Sequence, residues 1–364
     1  VQMIEQMIRN GMNICRINFS HDNHEIHYNK LLNIKKAIKN CPEFPEVAIM
    51  LDTKGPEIRT GLLSKPRIEL KKNNILKLTS DYSYKGNEEQ IALSYDHLYK
   101  SVSVGTKILI ADGNLALEVV EKDPKSNIVI TRILNDFVLG EKKNVNLPGV
   151  KVEIPVISEK DRVDIIDFGV KNKIDMIALS FTRSVECVRM CRDVLRTKGK
   201  DIKIIPKIEN HEGVKNIDEI LKESDGLMIA RGDLGMEMEP QKLFLAQKYL
   251  TSRAIALHKP VIVATQMLES MTKNSRPTRA EITDVGQAVV DLNDATMLSG
   301  ETGNGNYPLE SIITMSNICK EVEDNIDYLN NFNQTVATMN SKELEKHSLA
   351  ISAIKLAFSS KSEC

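Results

Sequence analysis

Residues 202–210 read IKIIPKIEN, an apolar run that ends in a lysine and a glutamate two positions apart. In an extended strand, residues i and i+2 point to the same side. Lys207 and Glu209 therefore project together from the end of an otherwise buried element. Similar short apolar runs occupy 12–20, 47–53, 174–181, 226–233, 260–267 and 295–302. Each closes on polar residues: Asn18 and Ser20, Asp52 and Thr53, Ser180, Asp233, Thr265, and Ser299 with Glu301. Helical periodicities fill the intervals, over 27–38, 159–170, 184–195, 213–223, 240–258 and 278–292.

Near-continuous apolar strands alternating with helices mean a parallel sheet covered on both faces. A doubly wound sheet and a barrel both satisfy that pattern. No G-x-G-x-x-G follows the first strand, which counts against a dinucleotide fold. Polar residues end almost every strand, and a barrel gathers all those ends at one mouth. The expected fold class is therefore α/β, a (β/α)8 TIM barrel whose first strand is missing from the count. Pro206 is an objection to a central strand, since proline removes a ladder hydrogen bond.

Between 58 and 149 the helical pattern stops, and short β-like runs take over, punctuated by Gly113-Asn114, Asp123-Pro124 and Leu147-Pro148-Gly149. This predicts a small inserted β-barrel-like domain beside the mouth, placed to act as a lid. The expected division is 1–57 and 150–330 for the barrel, 58–149 for the lid, and 331–364 for the beginning of a C-terminal α/β domain.

Composition narrows the partners. Among 364 residues, 49 Lys+Arg stand against 50 Asp+Glu, so the net charge of −1 gives no global attraction to nucleic acid. Aromatics make up 4% and Trp is absent, which argues against a stacking platform for single strands. No apolar run approaches the roughly 18 residues of a membrane span. The cysteines Cys15, Cys41, Cys187, Cys191, Cys319 and Cys364 include no C-x-x-C pair, as expected of reduced thiols in a cytoplasmic protein.

The strand ends carry candidate chemistry. Lys207 and Glu209 read with Arg231 and Asp233, also spaced by two, and salt bridges closing the barrel top are one reading of the four. Another is a Mg²⁺ site, in which Glu209 and Asp233 hold the ion while it keeps waters and takes substrate oxygens. Lys207 would then offset charge developing on a phosphoryl group or an enolate. Arg16, Asn18 and Ser20 follow one another at i, i+2 and i+4. Arg16 suits an anion, and Asn18, Ser20, Asp52 and Thr53 are hard-oxygen donors for a cation. Gly232 allows backbone N–H groups to approach an anion before a helix beginning near Glu239. Thr265 and Ser299 are candidates for substrate contact or proton relay.

Taken together, NICRINFSH (13–21), LDTKGPEIRTG (51–61), NLPGVKVEIPVISEKD (146–161), IPKIEN (205–210), ARGDLGMEM (230–238), ATQMLESM (264–271), RPTRAEITDVGQAV (276–289) and MLSGET (297–302) resemble pyruvate kinase. The resemblance implies transfer of phosphate from phosphoenolpyruvate to ADP, giving pyruvate and ATP, in a homotetramer. It implies Mg²⁺ on Glu209 and Asp233, and K⁺ on Asn18, Ser20, Asp52 and Thr53. Lys207 matches the lysine that stabilises the transferring phosphoryl, Gly232, Asp233 and Thr265 the pyruvate carboxylate site, and Arg16 a phosphate contact. Asn18, His21, Arg59, Asp112 and Lys143 match nucleotide-side residues, while Thr265 and Ser299 match the proton route. Glu57 matches the glutamate of K⁺-dependent members. The resemblance also implies a chain that begins inside the first barrel helix and stops early in the C-terminal domain, with Asn304 where the family commonly has lysine. Another Mg²⁺-dependent enolate enzyme of aldolase or lyase type, or an inactive fragment, are the alternatives.

Overall fold

The computed structural model describes residues 1–44 and 46–360, so Cys364 and the last residues of the expected C-terminal domain lie outside the described residues. Seven parallel strands form one sheet in chain order: β1 (Ile14–Asn18), β2 (Ala48–Asp52), β3 (Met176–Leu179), β4 (Lys203–Ile208), β5 (Leu227–Ala230), β6 (Val261–Ala264) and β7 (Ala295–Met297). β5 and β6 are buried at every position, as a sheet covered on both faces requires. Met50, Ala178, Ile205, Met228 and Ile262, from five successive strands, pack into one small cluster on the concave side. A larger cluster lies between the strands and the surrounding helices. This inside-and-outside pair of cores is the layering of a barrel.

The sheet curls until its ends approach. The helix Gln2–Arg9 precedes β1 and packs against Pro308–Glu323, which follows β7. Gly11, at φ +110°, lies so near Ser316 that a Cβ would sit 2.5 Å from its Oγ. Only glycine fits both that space and that backbone. Pro206 does sit within β4, and the ladder to β5 is confined to the two residues beyond it, Lys207 opposite Met228 and Ile208 opposite Ile229.

Between β2 and β3 the chain builds a separate β structure. Ile58–Arg59, Lys107–Ile110, Leu115–Asp123, Ile128–Ile133, Ile75–Thr79, Gln90–Ala92 and Asn144–Asn146 share one sheet, and Arg67–Leu70 pairs with Phe137–Gly140. Here burial alternates along the strands, as in Arg67–Leu70, because only one face meets a core. That core is its own cluster, from Ile58 to Leu147.

One local expectation is corrected. The run 226–233 is not all strand: β5 ends at Ala230, and Arg231–Glu237 is a helix. The helix expected from near Glu239 is a separate one, Pro240–Ala256, with Glu239 at its N-cap. The pattern over 159–170 divides into an α-turn, Glu159–Val163, and a π-helix, Asp164–Val170. The polar stretch after 330 is helical, as Tyr328–Thr338 and Ser341–Ser360. Among the described residues no helix is long and apolar enough to cross a membrane.

Candidate active site at the barrel mouth

β4 delivers Lys207 and Glu209 to the mouth, as the i, i+2 spacing predicts. The Lys207 ammonium, with only 12% of its side chain exposed, lies 3.0 Å from Glu209 Oε1 and 3.2 Å from Asp52 Oδ1. It also donates to Ser180 Oγ at 3.0 Å. Burial disfavours its charge, but Asp52 and Glu209 outweigh that and hold its pKa above the ordinary value. Asp52 is fully buried, yet Arg16 and Lys207 hold its carboxyl below the usual range against the cost of burial. Arg16 Nε donates to Asp52 Oδ2 at 2.6 Å. Ser180, at the end of β3, donates to Asp52 Oδ1 at 3.1 Å and to the Thr53 carbonyl at 2.6 Å. Arg16, Asp52, Ser180, Lys207 and Glu209 are therefore one connected network across four strands.

Glu209 accepts from the Phe181 N–H at 2.6 Å. Burial pushes its carboxyl up to about 7; Lys207 pulls it down and the charge of Asp233 adds to the rise. Asp233 is likewise raised by burial, with Lys207 and a hydrogen bond from Asn146 opposing and Glu57 and Asp112 adding. Two such acids, short of positive charge, fit a hard divalent cation. Among the described residues no group of three or more His, Cys, Asp or Glu could hold a metal. An ion on these two would thus complete its shell with water or substrate oxygens.

Asn18 and Asp52 are register partners on β1 and β2, and the Phe19 N–H donates to the Asp52 carbonyl at 2.9 Å. Asn18 Oδ1 accepts from Ser20 N at 3.0 Å, and Thr53 Oγ1 accepts from Ser180 N at 3.0 Å. Amide and hydroxyl oxygens around one carboxylate already matched by Arg16 and Lys207 suit a monovalent ion better than a second divalent one.

Arg231 does not share a face with Asp233. It turns away from the mouth into a two-pronged pair with Asp284, both contacts at 2.7 Å, and donates to the Thr265 carbonyl at 2.8 Å. Asp233 follows it in the first turn of the helix rather than on a strand. A Cβ on Gly232 would lie 2.9 Å from Thr265 Cγ2, so the absent side chain lets these two segments meet. Thr265 itself sits at φ +78°, an unusual backbone for a β-branched residue and of the kind that gathers at active sites. Ser299 is joined to none of these groups; its N–H goes to Glu301 Oε2 at 2.7 Å.

A cleft of about 650 Å³ separates the mouth from the inserted β structure. His21, Arg59, Asp112, Lys143 and Asp233 all line it. Arg59 pairs with Glu57 at 2.7 Å, and Asp112 accepts from Asn144 Nδ2 at 2.9 Å. Sequence reasoning missed Glu237 and Asn146. Burial lifts Glu237 to about 7, while hydrogen bonds from Asn146 and the Gly149 backbone restrain it. Asn146, from the inserted structure, lines the same cleft as Asp233 and Glu237 and lowers the pKa of both acids.

Comparison with known proteins bears on the family and the fold. A family model described as the pyruvate kinase barrel domain matches residues 1–312. A pyruvate kinase of Eimeria tenella is 55% identical over 342 residues, which cover 93% of this chain and 64% of that protein. A cytosolic isozyme of pyruvate kinase from Glycine max is 47% identical over 365 residues, covering 100% of this chain and 71% of its own length. The crystal structure of a pyruvate kinase from Cryptosporidium parvum superposes with a TM-score of 0.93 at 47% identity, over 98% of this chain and 73% of that one. The chain thus spans less than two thirds of the Eimeria protein and somewhat more of the other two.

Proposed function

The chain belongs to the pyruvate kinase family, and from that premise we propose that its barrel mouth moves a phosphoryl group from phosphoenolpyruvate to ADP, yielding pyruvate and ATP. The observation that carries this reading is the buried Lys207 ammonium held between Asp52 and Glu209, its charge acting on Asp233, which lines the cleft. In the transfer, the bond from phosphorus to the enol oxygen breaks and one to a terminal oxygen of ADP forms. Lys207 neutralises negative charge on the moving phosphoryl and on the enolate left behind. Its own neighbours keep it charged and in place, so little reorganisation is needed at the moment of reaction. Arg16 offers a second cationic contact to phosphate. Backbone groups at Gly232, Asp233 and Thr265 receive the substrate carboxylate where the two segments meet. The enolate then takes a proton at its methylene carbon, with Thr265 and Ser299 on the proton route.

Glu209 and Asp233 would hold Mg²⁺, which when bound draws charge from the phosphoryl oxygens. Asn18, Ser20, Asp52 and Thr53 would hold K⁺. His21, Arg59, Asp112 and Lys143, with Asn18, would receive the nucleotide across the cleft. A cytoplasmic setting is supported by relatives described as cytosolic isozymes. Assembly into a homo-oligomer completes the reading.

The test is direct. The purified chain is given phosphoenolpyruvate, ADP, Mg²⁺ and K⁺, and pyruvate is followed by coupled reduction to lactate. Pyruvate formation that requires ADP supports the reading. A folded chain that binds both substrates and yields no pyruvate overturns it.

A further inference from the structure

The turn that receives the chain back from the inserted β structure holds two loops it does not belong to. The helix Glu159–Val163 opens with a capping box in which Ser158 and Asp161 each bond the other's backbone N–H. Asp161 is fully buried, and only one of its oxygens serves the cap. The other, Oδ1, accepts from Lys54 N at 3.0 Å and Gly55 N at 3.2 Å, the first backbone donors after Asp52 and Thr53. Lys160, the residue before, reaches the neighbouring loop: its Nζ donates at 3.0 Å to the carbonyl of Phe19, which lies between Asn18 and Ser20. Lys160 is steadied in turn by Asp164 at 2.5 Å, and the second oxygen of that buried carboxylate meets His24 Nε2 at 2.7 Å. Directly beyond, the helix widens into the π-turn Asp164–Val170, an irregularity often found near functional sites.

We infer that Lys160 and Asp161 are positioning residues for the monovalent cation: they fix the spacing between the Asn18–Ser20 and Asp52–Thr53 loops, and so set how tightly the ion binds and which ion is preferred. This rests on the reading of those four residues as the K⁺ set. The physical reason is that a singly charged ion brings too little Coulomb energy to reshape two loops, so its oxygens must be spaced beforehand. Both tethers grip backbone atoms, so they govern spacing without altering any of the oxygens that would touch the ion. Loss of a cap and an ion pair with no further role would lower stability equally in every salt.

The experiment uses the full chain and its Lys160→Met, Lys160→Arg and Asp161→Asn variants. Thermal midpoints are compared in potassium, sodium and tetramethylammonium chloride at one ionic strength, and half-saturating K⁺ is read from the pyruvate assay. The unaltered chain should melt about 3 °C or more higher in potassium than in tetramethylammonium. Lys160→Met should lose most of that difference, raise half-saturating K⁺ about tenfold and narrow the preference over Na⁺, while Lys160→Arg restores all three. A Lys160→Met chain that melts lower in every salt but keeps the full potassium increment overturns the inference and leaves the cation site standing. An unaltered chain with neither increment nor activation overturns the cation reading itself, and the inference with it. Lys160 is half-exposed, so its variants decide the matter even where Asp161→Asn does not fold.

Discussion

Lys207 shows what a single residue can be asked to do. Three acceptors surround its ammonium, and only the substrate's arriving charge is missing. Lys207→Met should therefore lower kcat by about 10² or more while changing KM little, because the interaction strengthens as charge moves. Steady-state kinetics with a near-normal kcat would return the lysine to a structural role. Glu209→Gln or Asp233→Asn removes one of two hard anionic ligands, so Mg²⁺ titrations of either variant should shift to higher concentration, by about tenfold or more. Glu237 carries a different expectation. Its carboxyl is raised from 4.5 to about 7, so the folded state binds that proton more tightly than the unfolded chain does. The stability it contributes is full below pH 4.5 and is lost as pH climbs through about 7. In the absence of divalent ions, urea midpoints of the native chain should fall across that interval, and Glu237→Gln should flatten part of the slope. Lys207 and Glu209 were legible because two charges ended an apolar run. Glu237 was not, because in GMEMEP it looks like an ordinary solvated acid, and the cleft it shares with Asn146 joins positions far apart in sequence.

At the scale of elements, strand interiors were legible from their continuous apolar runs, whereas their ends were less so. The run over 202–209 is observed as Lys203–Ile208, one residue shorter at each end. In LMIARGD the same reading carries the strand too far. Nothing in the sequence marks a turn between Ala230 and Arg231, because the chain passes into the helix without a loop. The period changes from 2 to 3.6, and Arg231 lands against Asp284 instead of beside Asp233. The segments after β6 and β7 are joined by a similarly hidden residue. Glu301, fully buried, accepts from Leu268 N at 3.0 Å and from Ser299 N at 2.7 Å. Glu301→Ala would orphan both donors, and urea unfolding should show a loss of about 2–4 kcal/mol. Glu301→Gln, which keeps one strong acceptor, should lose less. Equal stability of all three proteins would mean that water replaces the carboxylate.

For the whole molecule, the barrel was legible because polar residues end so many strands, and the inserted β structure because a periodicity stopped. The cleft between them was not, since it depends on how two separately packed cores meet. The inserted structure leaves and returns through a ribbon of its own: Ile58–Arg59 pairs antiparallel with Asn144–Asn146, Arg59 opposite Asn144 and Ile58 opposite Val145. β2 and β3 are neighbours in the sheet although this entire excursion lies between them. Before the insertion folds, joining those strands closes a loop of about 120 residues; afterwards the ribbon short-circuits most of it. The effective loop shrinks roughly three- to fourfold, which removes about 1 kcal/mol of closure entropy and quickens the encounter several-fold. Pulse-labelled hydrogen exchange during refolding should accordingly find amides of Leu115–Asp123 and Ile128–Ile133 protected before those of Met176–Leu179. The piece that covers the mouth would then be, in the history of each molecule, the clamp that lets the barrel assemble around it.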